Sequence, residues 1–129
     1  MCYMVNLYLV GLNYAGDVSE SDYIVFRNEK EATQYIKAAA VKVMITTVVE
    51  ESFQKLIELS QKNFNKKPED ITNEDVDNLD TKTLESFYKA LLKLQDKRSG
   101  VTGYFVEKVE YFTDPQDKKY KITLSEIDG

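Results

Sequence analysis

The stretch NEKEATQYIKAAAVKVMITTVVEESFQKLIELSQKN, residues 28–63, decides the fold. Its opening carries a helix-start signature: Asn28 can accept a backbone hydrogen bond as N-cap, and Glu31 at the third helical position can reach back. Ala32, Ile36, Ala39 and Val43 then recur at helical spacing, with Tyr35 on the flank. The far half is harder to read. The β-branched run Ile45-Thr46-Thr47-Val48-Val49 weakens helix propensity, and Thr47 with Glu50 offers a second cap and so a break or short strand. Against a break, Val49, Phe53, Leu56, Ile57 and Ser60 continue a helical face with no Gly or Pro between them. The reading favours one long helix over about 29–63, bent near Thr46, above a strand insertion.

Upstream, Cys2 to Leu12 is rich in Tyr, Val and Leu and suits a buried strand. Gly11, Asn13, Ala15 and Gly16 read as a longish loop carrying Asp17, Glu20 and Asp22, and residues 23–27 read as a second strand. Downstream, Pro68 suits the first turn of a new helical piece, and Thr72 with Asp75 forms a cap pair. Asp80 or Thr81 then caps an amphipathic helix over about 81–98, striped by Leu84, Phe87, Tyr88, Leu91 and Leu94, with Gly100 at its C-terminal cap. Residues 104–112 and 119–125 read as a hairpin, because Tyr120, Ile122 and Leu124 alternate with polar residues. The expectation is one α+β domain over 1–129, in the order β-β-α-α-β-β, with hairpins at 2–12/23–27 and 104–112/119–125.

The chemistry is defined mainly by what is missing. The chain has 129 residues, no histidine and one cysteine. Ser-His-Asp and Cys-His nucleophile systems therefore have no base, and a thiolate zinc site has too few ligands. Cys2, in an apolar strand with no histidine to activate it, reads as a small structural residue. Gly100 and Gly103 are spaced like a phosphate-gripping loop, but a helix cap followed by the start of a strand explains them better. Asn73, Asp75, Asp77, Asn78 and Thr81 fit a calcium-loop register that fails at Leu84, where a bidentate Glu is required. No cofactor, no metal and no catalytic residue are expected.

The formal net charge of −5 argues against direct nucleic-acid or anionic-membrane binding. Met1 to Leu12 lacks a signal peptide's cationic start, and Val41 to Val49 is too short to span a bilayer, so a cytoplasmic location is expected. Within the chain, Glu69, Asp70, Glu74, Asp75, Asp77 and Asp80 form an acidic stretch with no Lys or Arg among them. The plain reading of such a run is a solvated face. The sharper one is a negative surface that docks on a basic groove, with Tyr14, Tyr23 and Phe64 as candidate aromatic anchors. Reversing Asp75, Asp77 and Asp80 is then expected to weaken binding and spare the fold.

In type, a compact acidic domain without enzyme motifs resembles the small inhibitors that phages and mobile elements use against host nucleases, anti-CRISPR proteins among them; no shared motif carries the resemblance. The lead expectation is thus a non-enzymatic inhibitor that occludes the basic, nucleic-acid-binding surface of an effector protein. An oligomer-forming accessory protein is the alternative, and a carboxylate-based enzyme ranks third.

Overall fold

The computed structural model describes residues 3–113. Strands β1 (Tyr3–Tyr14), β2 (Val18–Phe26) and β3 (Val101–Thr113) form an antiparallel sheet in the order β2-β1-β3. Between β2 and β3 the chain forms helices α1 (Glu29–Thr46), α2 (Phe53–Phe64), α3 (Asn73–Asp77) and α4 (Thr81–Leu92). The α+β class and the rough order of elements agree with the sequence reading, while several boundaries do not.

Residues 11–14 are strand, and the loop shrinks to a turn at residues 15–17. β1 runs through Gly11 and Asn13 to Tyr14, which pairs with Val18 across a tight turn. Gly16 and Asp17 supply the two left-handed residues of that turn, at φ 82° and 58°. Gly11 stays in the strand because nothing larger fits: a Cβ there would meet the Phe105 ring and lie 2.5 Å from the Glu20 carbonyl oxygen. The β1–β2 register shifts between Leu9 and Gly11, a bulge beside that close approach. β3 pairs with β1 from Tyr3↔Thr113 to Tyr14↔Val101. The expected strand at 119–125, and with it the second hairpin, lies outside the described residues, as does Cys2.

Helices α1 and α4 cover the sheet, and the core lies between these layers. Val10, Leu12 and Phe26 from the strands meet Ile36, Val41, Met44, Leu84, Phe87 and Leu91 from the helices, all within one buried cluster. Burying a large aliphatic or aromatic side chain contributes on the order of 1.5–3 kcal/mol, so this cluster is the main source of stability.

The 29–63 helix is broken, as the alternative reading had it. α1 ends at Thr46, Val48 forms an isolated bridge to Gln95, and a 3-10 turn at Glu50–Ser52 leads into α2. Thr47 is not an N-cap there: its hydroxyl donates to the Val43 carbonyl and to Gln95 Oε1, at 3.1 and 2.6 Å. β-branched residues favour the extended backbone that the bridge requires, and Gln95 satisfies the groups the break exposes. The helix read to residue 98 stops at Leu92 for the same reason, since Leu94 and Gln95 turn inward to meet the break. Gly100 is therefore not that helix's C-cap. It is buried at the start of β3, and its N–H donates to the Asp96 carbonyl at 2.8 Å.

Three starts are placed as read. The Asn28 side chain accepts from the Glu31 N–H, Thr72 and Asp75 cap α3 reciprocally, and Asp80 accepts from the Thr83 N–H. Pro68 opens a 3-10 turn over Pro68–Asp70. No helix among the described residues is long and apolar enough to cross a membrane.

Candidate functional site

The acidic stretch spans three short elements, and these divide its members by role. Asp75 accepts from the Thr72 N–H at 2.9 Å and from Lys66 Nζ at 2.7 Å. The Lys66 hydrogen bond comes first among the causes that hold its carboxyl below the usual carboxylate range. Asp80 closes the N-terminus of α4 through the Thr83 N–H, and its pKa is lowered by the Thr83 hydrogen bonds. Asp77 accepts from Lys42 of α1 at 2.7 Å. These three acids hold α3, α4 and α1 in place, so reversing them tests the fold as much as any surface.

Glu69, Asp70 and Glu74 differ. All three are exposed, and none has a side-chain hydrogen bond or ion pair among the described residues. Glu69 and Asp70 sit on the 3-10 turn opened by Pro68, and Glu74 sits in the first turn of α3.

Of the acids near the hairpin, Asp17 lies in the turn and the other two land on a strand. Glu20 and Asp22 belong to β2 and line a cleft of about 310 Å³ against Ile36 and Val43 of α1, with Tyr14 beside them. Asp22 accepts from the Tyr35 hydroxyl at 2.9 Å. Burial, then this hydrogen bond, pushes Tyr35 up to about 12, and the charge of Asp77 adds in the same direction. Tyr35 therefore responds to an acid from β2 and one from α3, two groups the sequence shows far apart.

Sequence reading missed a groove at the break. Ile45 at the end of α1, Phe53 and Ile57 on α2, and Pro68 with Glu69 on the 3-10 turn surround a space of about 370 Å³, with Leu56 buried beneath. Phe53 is 50% exposed and Ile57 46%, although the sequence places them on one helical face with Leu56 and Ser60, which are buried. The break redirects α2, so that Leu56 and Ser60 face inward and the 53/57 pair faces out. The available signal was Phe53 with Ile57 at i, i+4, one turn apart on a single face. Among the proposed aromatic anchors, Phe64 packs edge-on against Phe87 at 5.3 Å, and Tyr14 packs against the core cluster.

Lys37 is the most buried charged group described, at 8% exposure. It pairs with Glu85 of α4 and lies 5.8 Å from the Tyr104 ring centroid. The Lys37 hydrogen bond is the main cause that keeps the Glu85 carboxyl low. Burial pushes Tyr88 nearby up to about 12. This cluster binds α1 to α4 over the sheet. Among the described residues no group of three His, Cys, Asp or Glu side chains converges as a metal site would require. The carboxyls of Asp75, Asp80 and Glu85 are all held below the ordinary carboxylate range by their hydrogen bonds, as suits fixed anions.

No known protein family, curated protein or solved structure matches this chain.

Proposed function

We propose that this chain is a non-catalytic binding domain, an inhibitor that sets an acidic surface against the basic, nucleic-acid-handling face of a protein partner. The observation that carries the proposal is the division within the acidic stretch. Asp75 and Asp77 fix α3, which presents Glu74 to solvent, and the Lys66–Asp75 pair spans the 3-10 turn on which Glu69 and Asp70 are exposed. Acids held this way lose little conformational freedom on docking, and complementary charge raises association rate and selects orientation. Occlusion would follow from occupancy alone.

The test is competition. A basic effector captured by the immobilised chain should be released by duplex DNA or RNA and by added salt. It should not be captured by the Glu69→Lys, Asp70→Lys, Glu74→Lys variant. Capture that ignores nucleic acid, salt and that variant would overturn the proposal.

A further inference from the structure

The groove at the α1–α2 break deepens this reading and rests on it. We infer that it receives one or two bulky apolar side chains of a basic peptide segment in the partner, held between Phe53 and Ile57 with Lys or Arg residues on either side. Three observations support this. Phe53 and Ile57 are two of the four large hydrophobics exposed among the described residues, the others being Met4 and Val18, and they lie one helical turn apart. The space of about 370 Å³ is near the lower end of the range for ligand pockets, roughly 300–1,000 Å³. That suits side-chain anchors rather than an extended cofactor. Finally, its surroundings are acidic on balance: Glu50, Glu51, Glu58, Glu69 and Asp70 lie within three residues of the walls, against Lys42, Lys55, Lys66 and Lys67, of which Lys42 and Lys66 are already ion-paired to Asp77 and Asp75.

The same charges argue against a second copy of this chain as occupant. A two-fold contact sets a patch against itself, so this acidic rim would meet an equally acidic one. A basic segment instead offers complementary charge around an apolar anchor, the arrangement in which a buried centre supplies affinity and a charged rim supplies orientation.

The experiment uses synthetic peptides with the full chain. One is Lys-rich with Leu and Trp anchors, the second replaces its Lys with Glu, and the third keeps Lys but replaces the anchors with Ser. The chain contains no Trp, so blue-shifted emission from a peptide Trp reports anchor burial directly, and calorimetry gives affinity. The anchored basic peptide should bind with a blue shift, and the anchored acidic one should bind far more weakly. The Phe53→Ser/Ile57→Ser variant should weaken the basic peptide about tenfold or more. Both side chains are half-exposed, so its thermal midpoint should stay near that of the parent chain.

Equal binding of the anchored and Ser-substituted basic peptides, unaffected by the groove variant, would overturn the groove while leaving the acidic surface of the proposed function standing. Absence of binding by the anchored basic peptide up to about 1 mM would also overturn the groove, and the proposed function would still answer to nucleic-acid competition. A concentration-dependent dimer in sedimentation, dispersed by the groove variant, would assign the face to a second copy instead.

Discussion

The side-chain amide of Gln95 donates to the backbone carbonyl of Met44 across the interior, at 2.9 Å. Its other end accepts from the Thr47 hydroxyl, and the Val49 N–H donates to the neighbouring Leu94 carbonyl at 3.1 Å. A helix end leaves carbonyls without intrahelical partners. Here one residue from the segment after α4 satisfies the end of α1. Gln95→Leu keeps much of the bulk and removes both side-chain bonds, leaving the Met44 carbonyl with only the Thr47 N–H at 3.2 Å. The expected loss is about 1 kcal/mol, read as a fall in the urea midpoint with an unchanged slope.

The Lys37–Glu85 pair predicts an asymmetry. Glu85→Gln leaves a buried ammonium without its counter-ion and should cost about 1 kcal/mol, less than a fully buried pair because Glu85 is partly solvated. Lys37→Met replaces the ammonium with an apolar chain of similar length and should cost less. The Glu85 carboxyl lies below its ordinary value in the folded chain, so its contribution is present above the unfolded pKa and fades as pH falls through the folded one. Acid titration of the parent chain and Glu85→Gln should therefore converge at low pH, and parallel acid unfolding curves would refute the assignment.

Gly11→Ala tests the bulge. The added methyl would meet the Phe105 ring, which can shift, and the Glu20 carbonyl, which is backbone and cannot easily do so. A cost of about 1–3 kcal/mol is expected, as for other overpacked sites. Combining it with Phe105→Leu should recover only part of the loss, because the carbonyl contact remains. Full recovery in thermal melts would show that the ring alone sets the constraint.

Alkaline pH should unfold the chain early. Tyr35 and Tyr88 both rise to about 12 in the folded state, chiefly through burial. A raised folded pKa means that stability is intact below the ordinary tyrosine value of about 10 and is lost as pH climbs from there toward 12. Denaturant midpoints should fall over that window. Tyr35→Phe, which cannot ionise, should flatten the fall, and an unchanged slope would show that Tyr35 is not responsible.

The helix starts were legible because each is a local contract between a side chain and a backbone N–H a few residues away. Asn28, Thr72 and Asp80 needed no knowledge of the rest of the chain. The end of α1 was legible only as an alternative, because the β-branched run at 45–49 offered a break while the Gln95 side chain that satisfies it lies almost fifty residues later. No window around Thr46 contains that information. Gly11 misled for a related reason. In isolation a glycine reads as loosening the chain, and only the Phe105 ring and the Glu20 carbonyl on the two neighbouring strands explain it as a tight fit. For the site, composition located the acidic stretch. It did not separate acids that hold the fold from acids that face water, because that depends on Lys42, Lys66 and the helix N-termini.

The break also separates two kinds of tolerance to sequence change. Residues on the groove's rim touch mainly solvent and can vary without disturbing the core. The angle at which the rim is displayed depends on one interior amide that never reaches the surface. A lineage could thus retune what it binds in two independent ways, by exchanging rim side chains or by altering the joint beneath them, and only the second would register in a melting curve.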